Sequence, residues 1–125
     1  LDELITLIQD ERSISYTYNS FGYIETVKTD NLEYKFSYNV YGDIEKISAK
    51  KTTYSTYQDI VTYSYWMKNE IYTGLVQQVE YADGYQLTYG YSYDNNKLIS
   101  VSEKMPTDIK STKIYSCIYN ELGQV

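Results

Sequence analysis

The 125-residue sequence predicts an all-β protein built from consecutive antiparallel β-hairpins. Three observations support this prediction. The chain contains 18 tyrosines but only two alanines, so residues with high strand propensity dominate over the best helix former. Apolar and polar residues alternate where tyrosines cluster, as from Tyr85 to Tyr93, which places each set on one face of a strand. A hairpin-like unit also recurs along the chain.

The recurring unit is clearest in two segments that align without a gap. Residues 16–27, YTYNSFGYIETV, and residues 36–47, FSYNVYGDIEKI, share aromatic, Tyr, Asn, Gly, Ile and aliphatic positions at an offset of 20 residues. Further copies start near residues 62, 90 and 115, and the third contains five extra residues before Gly74. Residues 1–12 are interpreted as the tail of an earlier copy and the last copy as truncated, so 1–125 is expected to be one repeat segment cut from a longer protein.

Three copies carry an Asn followed three residues later by a glycine, which predicts a tight turn between two strands. The Asn side chain accepts a backbone N–H two residues later, and the glycine adopts the left-handed conformation that closes the hairpin with a bulge. Asp83-Gly84 is the signal of a two-residue hairpin. In the fourth copy, which is one residue short, Asn96 replaces the glycine. The predicted turn residues are Asn19, Gly22, Asn39, Gly42, Gly74, Asp83, Gly84, Asn96, Asn120 and Gly123.

Apolar residues follow each glycine at the second and fifth positions, as in Ile24 and Val27. This spacing of three breaks the alternation of a regular strand. It therefore predicts a bulge or a strong twist in each outgoing strand, near Glu25-Thr26, Glu45-Lys46 and Gln77-Gln78.

Composition excludes most enzyme classes. The chain has no histidine and one cysteine, Cys117, so it lacks a histidine-dependent triad, a histidine-ligated metal and a disulfide framework. The carboxylates of Asp43 and Glu45 are interpreted as part of a solvated sheet face, because polar residues recur at these strand positions. The same interpretation applies to Glu25 with Asp30. No catalytic residue, cofactor or metal is predicted, and Cys117 is interpreted as a small apolar strand residue.

Charge and hydropathy limit the partners. Eleven basic and 17 acidic residues give a net charge of −6, which disfavours nucleic acid. No apolar run has the length of a membrane span, so no membrane insertion is expected.

At this point the residues resemble a known family. The segment YADGYQLTYGYSYD, residues 81–94, and the turns YTYNSFG and FSYNVYG are similar to the YD repeats of Rhs proteins, toxin-complex shells, bacterial wall-associated proteins and teneurins. The resemblance covers about five units and thus essentially the whole chain. It implies a β-sheet strip that curves or spirals into a hollow shell. The family's cleavage motif is absent, since Met105-Pro106-Thr107-Asp108 matches only its first half.

The resemblance implies a non-catalytic structural segment of a shell that encloses or displays a C-terminal effector. The parent would be a secreted or cell-surface protein of the polymorphic-toxin type, exported by a bacterium, and the partners would be the rest of that protein and its effector. The alternative is a glycan-binding or adhesion module on the same repeats. Its candidate ligand surface is an inserted loop carrying Trp66, Met67, Ile71 and Tyr72, which would contact surface glycans or else fold over the sheet.

Overall fold

The computed structural model describes the backbone of residues 4–9 and 12–116 and the side chains of residues 13–116. The described residues contain ten strands and no helix. The strands are β1 (Leu4–Gln9), β2 (Arg12–Tyr18), β3 (Ile24–Lys28), β4 (Leu32–Tyr38), β5 (Ile44–Lys51), β6 (Gln58–Lys68), β7 (Ile71–Tyr81), β8 (Gln86–Tyr91), β9 (Leu98–Lys104) and β10 (Thr112–Ser116).

The strand order follows the chain order, and the registered pairs are antiparallel. The predicted all-β class of consecutive antiparallel hairpins is therefore confirmed. The chain divides into two compact units, Leu1–Thr62 and Tyr63–Val125, with the division inside β6. The assignment of repeat boundaries along the chain stays a prediction.

In the first unit, strand register separates an apolar face from a polar face. Tyr34 of β4 pairs with Val27 on one side and Ala49 on the other, so aromatic and aliphatic side chains share a face. The next residue, Lys35, pairs with Thr26 and Ser48 and belongs to the opposite face. The alternation predicted from the sequence thus continues across neighbouring strands.

The second unit has the same separation. Leu87 pairs with Val79 and Tyr89 pairs with Val101, whereas Thr88 pairs with Gln78 and Ser102. The two faces of β8 therefore differ in polarity in the same way as those of β4.

The described part of the chain buries few apolar side chains completely. Val61 and Val79, each 6% exposed, are its only buried hydrophobic residues. The other apolar face residues named above are half-buried. Most of the apolar burial in each unit therefore comes from half-buried cross-strand pairs and little of it from a dry core.

Two of the three bulges that the sequence predicts in the outgoing strands are present. Thr17 pairs with Thr26 but Tyr18 pairs with Ile24, so Glu25 is the extra residue of β3. The same shift in β5 makes Glu45 the extra residue. Both predictions are confirmed, while the predicted bulge near Gln77-Gln78 stays a prediction. A further shift makes Ile99 the extra residue of β9.

Candidate functional site

The turn between β2 and β3 is built around one asparagine. The backbone N–H of Asn19 donates to the carbonyl of Tyr23 at 2.8 Å, and the N–H of Gly22 donates to the backbone carbonyl of Asn19 at 3.0 Å. The Asn19 Oδ1 accepts the N–H groups of Phe21 at 2.9 Å and Tyr23 at 3.0 Å. Gly22 has φ +86°, a left-handed value that favours glycine. Asn19 thus satisfies two turn donors that the strands leave unpaired.

The turn between β4 and β5 repeats this geometry. The Asn39 Oδ1 accepts the N–H groups of Tyr41 at 3.0 Å and Asp43 at 3.1 Å, and Gly42 has φ +92°. The phenol oxygen of Tyr23, from the preceding turn, lies 2.8 Å from the position that a Cβ on Gly42 would occupy. Gly42 therefore allows both the left-handed turn and the close approach of its neighbour.

The turn between β7 and β8 has the same backbone hydrogen bonds but a different side-chain acceptor. The N–H of Tyr81 donates to the carbonyl of Tyr85 at 2.9 Å, and Gly84 has φ +93°. The Asp83 Oδ1 accepts the N–H of Tyr85 at 2.9 Å. The loop has three residues, Ala82–Gly84, so the prediction of a two-residue hairpin at Asp83-Gly84 is wrong. Ala82 is the additional residue, and it completes a type I turn before the left-handed glycine.

The predicted turn at Gly74 is also wrong, because this residue lies inside β7 with φ +75°. The chain reverses instead at Asn69 and Glu70, whose φ values of 51° and 65° are those of a type I′ hairpin. The five extra residues of this copy therefore lengthen two strands rather than form a loop. The sequence signal was weak, since Glu rarely adopts a positive φ.

Asn96 lies in the loop between β8 and β9 and has φ 60°. The N–H of Ser92 donates to the carbonyl of Lys97 at 2.7 Å, so this bond encloses four loop residues. The equivalent bond from Asn39 to Asp43 encloses three. The prediction that the turn of the fourth copy is one residue short is therefore wrong. Tyr91 pairs with Leu98 at this hairpin end, as Tyr38 pairs with Ile44 in β4 and β5. The predicted turn residues Asn120 and Gly123, and also Cys117, lie outside the described residues.

Two tyrosines fasten a hairpin to the preceding one. The phenol of Tyr38 donates to the carbonyl of Ile24 at 2.6 Å, and the phenol of Tyr91 donates to the carbonyl of Val76 at 2.6 Å. Each acceptor stands two residues after a glycine with positive φ. Burial raises the pKa of both phenols, which keeps them protonated as donors. We call these two hydrogen bonds the tyrosine latches.

Two further tyrosines donate to carboxylates. The Tyr57 phenol is bonded to Glu33, and the ammonium groups of Lys35 and Lys50 lie 5.5 and 5.4 Å from the centre of its ring. Burial and the bond to Glu33 raise the pKa of Tyr57 to about 12. In the second unit, Tyr85 donates to Glu103 at 2.8 Å. These phenols serve as fixed donors.

The candidate ligand surface does not form a loop. Trp66 and Met67 lie in β6, and Ile71 and Tyr72 lie in β7. The Trp66 ring stacks on Tyr91 at 5.4 Å between centroids, with the Lys68 Nζ 6.0 Å from its centre. The Tyr72 ring packs against Tyr65 at 5.6 Å. The prediction of an inserted loop is wrong, and both candidate rings make packing contacts inside the second unit.

Metal and membrane features were searched over the described residues. No group of three or more Cys, Asp or Glu side chains there is placed to hold a metal ion. Within the same part of the chain, no helix is long and apolar enough to cross a membrane.

Comparisons with known proteins find similarity at the level of structure. No model of a known protein family matches the sequence, and no curated protein matches it. The fold matches crystal structures of TcdB2-TccC3-Cdc42, with a TM-score of 0.71, and TcdB2-TccC3-TEV, with a TM-score of 0.70. In both cases the identity is 16%, and the match covers 98% of this chain but 7% of the neighbour. These neighbours are toxin-complex proteins containing Rhs/YD repeats, so the shared fold is consistent with the resemblance seen in the sequence.

Proposed function

We propose that this chain is a non-catalytic structural segment of a YD-repeat shell. The observation that carries the proposal is the fold match over 98% of the chain to toxin-complex proteins. In the proposed role, the segment forms part of the shell of a secreted or surface protein that encloses or displays a C-terminal effector. Its partners are then the remainder of that protein and the effector.

The contacts inside each unit support a structural role rather than a catalytic one. The tyrosine latches bind Tyr38 and Tyr91 to the preceding hairpin, so the same contact recurs where a repeat follows another. The turn asparagines and the phenols of Tyr57 and Tyr85 act as acceptors and donors of structural bonds. A protein of this kind extends by adding repeats, because each hairpin contacts mainly its neighbours.

Protease protection in the parent protein tests the enclosing role. The natural protein that contains this segment is treated with a protease while its C-terminal region is followed by an antibody. An enclosed effector resists cleavage until the shell is opened by denaturant, and deletion of residues 32–51, one repeat length, removes the protection without denaturant. Circular dichroism checks that the deleted form remains β-rich. Equally fast cleavage of the C-terminal region before and after denaturation would contradict enclosure.

The alternative of glycan binding at Trp66 and Tyr72 is not favoured by their geometry. A sugar needs a free ring face to stack on, whereas Trp66 stacks on Tyr91 and lies near the Lys68 ammonium. Unchanged glycan binding after Trp66→Ala would agree with this packing role.

A further inference from the structure

The turn end of the β7–β8 hairpin brings two tyrosine rings and a carboxylate together. The rings of Tyr81 and Tyr85 lie 5.8 Å apart between centroids and are inclined by 41°. The Tyr85 phenol donates to a carboxylate oxygen of Glu103 at 2.8 Å. Glu103 lies in β9, where it pairs with Leu87 of β8. Strand pairing within the second unit therefore holds the carboxylate beside the ring pair.

Both rings can be reached from solvent, although the backbone between them is fixed. Tyr81 is 40% exposed and Tyr85 is half-buried. The turn between them is closed by the backbone bond of 2.9 Å from Tyr81 to Tyr85 and by the Asp83 side chain. Rotamer changes of exposed side chains take picoseconds to nanoseconds. The two rings can therefore approach each other without any change in the fold.

Glu103 gives the Tyr85 phenol a proton acceptor within hydrogen-bond reach. The bond to Glu103 raises the pKa of the Tyr85 phenol, so the proton stays on the phenol at neutral pH. Removal of an electron from the ring makes the phenol strongly acidic, and the carboxylate then takes the proton. The arrangement therefore favours oxidation of Tyr85 to a neutral radical next to a second tyrosine.

From this geometry we propose that Tyr81 and Tyr85 form a site of oxidative cross-linking, at which hydrogen peroxide and a peroxidase couple the two rings into dityrosine. Each phenol loses one electron and its O–H proton; the proton of Tyr85 passes to Glu103 and that of Tyr81 to water. The two radicals form one C–C bond between ring carbons next to the phenol oxygens, and the hydrogens of those carbons move to the oxygens. Peroxide takes up the two electrons and two protons and becomes two water molecules.

The ring contact favours coupling within one chain over coupling between chains, because groups that are already neighbours react independently of protein concentration. Tyr23 and Tyr38 are also neighbours, at 5.1 Å between centroids. The Tyr38 phenol, however, donates to the backbone carbonyl of Ile24, which is a weaker proton acceptor than a carboxylate. Coupling should therefore be slower at that pair.

Tyr57 also donates to a carboxylate, that of Glu33, but in a different setting. The ammonium groups of Lys35 and Lys50 lie 5.5 and 5.4 Å from the centre of its ring. Removal of an electron would place a positive charge beside these two cations, so Tyr57 should be harder to oxidise than Tyr85. A tyrosine neighbour combined with a carboxylate acceptor distinguishes Tyr85.

The proposal goes beyond the structural role and does not depend on it. A chain that couples no tyrosines would leave the protease-protection experiment unaffected, and a chain outside a shell could still be cross-linked. The two proposals therefore fail separately.

The experiment treats a dilute solution of the 125-residue chain with hydrogen peroxide and a haem peroxidase. After denaturation, a protease that cleaves before aspartate cuts at Asp83, between the two tyrosines. We expect mass spectrometry of the monomer to find the two flanking peptides joined, with the loss of two hydrogen atoms. The joined species should disappear in Tyr81→Phe and in Tyr85→Phe. Tyr57→Phe is the matched control and should leave it unchanged.

Glu103→Ala tests the proton acceptor. It should slow coupling by roughly tenfold or more, less than the roughly 10²–10⁴-fold of a positioned acceptor because water also accepts the proton. Acetate added at constant ionic strength should restore part of the rate in Glu103→Ala and leave that of the unaltered chain unchanged, which a purely structural role of Glu103 does not predict. Far-UV circular dichroism checks that each variant keeps its β-sheet content.

Four results would overturn the proposal. The joined peptides are absent or form only between chains, as size-exclusion chromatography would show. They persist in Tyr81→Phe or Tyr85→Phe, or they are lost in Tyr57→Phe. Glu103→Ala couples as fast as the unaltered chain. Acetate fails to accelerate coupling in that variant.

Discussion

Replacing Tyr38 by phenylalanine removes one hydrogen bond and leaves the ring. The phenol oxygen lies 2.6 Å from the carbonyl of Ile24 in the preceding hairpin, while the ring contacts Tyr23 at 5.1 Å. Tyr38→Phe keeps the ring contact and removes the donor to Ile24. The variant therefore isolates the contribution of one tyrosine latch to the free energy of unfolding.

The expected loss is about 1 kcal/mol. A protein hydrogen bond contributes a net of about 0.5–1.5 kcal/mol, and a buried acceptor left without a donor costs about 1–3 kcal/mol. Tyr38 is only half-buried, so water reaches part of the site and the loss stays within the first range. Tyr91→Phe removes the equivalent bond to Val76 and should cost a similar amount. The two losses should add, because the bonds share no residue.

Urea unfolding followed by far-UV circular dichroism measures both losses. With a slope of about 1–3 kcal/mol per molar urea, a loss of about 1 kcal/mol lowers the midpoint by roughly 0.3–1 M. Tyr54→Phe is the control, since its exposed side chain should change stability by less than about 0.5 kcal/mol. If Tyr38→Phe and Tyr91→Phe are as neutral as this control, the latches do not hold the hairpins together.

Three other changes have definite expected outcomes. In urea unfolding, Gly42→Ala should lower the free energy of unfolding more than Gly22→Ala does. Both glycines have a positive φ, but only at position 42 would the new Cβ lie 2.8 Å from a neighbouring phenol oxygen. Equal losses in the two variants would exclude that contact. Glu70→Gly should stabilise by about 0.5–1 kcal/mol, since glycine tolerates φ 65°, and a loss of stability would contradict the type I′ turn. Glu33→Gln should lower the pKa of Tyr57 from about 12 in a tyrosinate absorbance titration, and an unchanged pKa would refute the role of the carboxylate.

The raised pKa of Tyr57 also determines a pH dependence of stability. The neutral phenol is favoured in the folded state, so its contribution is complete below the unfolded pKa of 10.0 and is lost as pH rises through the folded value of about 12. Unfolding free energy should therefore fall over this alkaline interval, and less steeply in Tyr57→Phe. An equally steep fall in that variant would assign the dependence to other groups.

Local chemistry made several features predictable. Period-two alternation is a property of each strand alone, and β8 (Gln86–Tyr91), which lies within the alternating residues 85–93, confirms the class that it predicts. Apolar residues three positions apart require an extra residue between them, and Glu25 and Glu45 are the extra residues found. Neither inference needs information on how distant segments meet.

Other features depend on pairing between segments and were missed. Gly74 fits the local turn pattern, yet the longer pairing of β6 with β7 moves the reversal to Asn69 and Glu70. Trp66 stands at an unusual position in the repeat, yet its ring stacks on Tyr91 from a different hairpin. Phe21 and Tyr41 line one cleft of the first unit but come from separate turns, so no single motif contains them.

The sequence by itself determined that this protein is a succession of tyrosine-rich hairpins, because strand alternation and turn chemistry act over a few residues. Tertiary structure alone decided which tyrosines bind which carbonyls. Tyr38 and Ile24 are 14 residues apart in the chain, and Tyr91 and Val76 are 15 apart. Such partners meet only when the register of several strands is set, since one residue of slip would turn each phenol to the opposite face of the sheet.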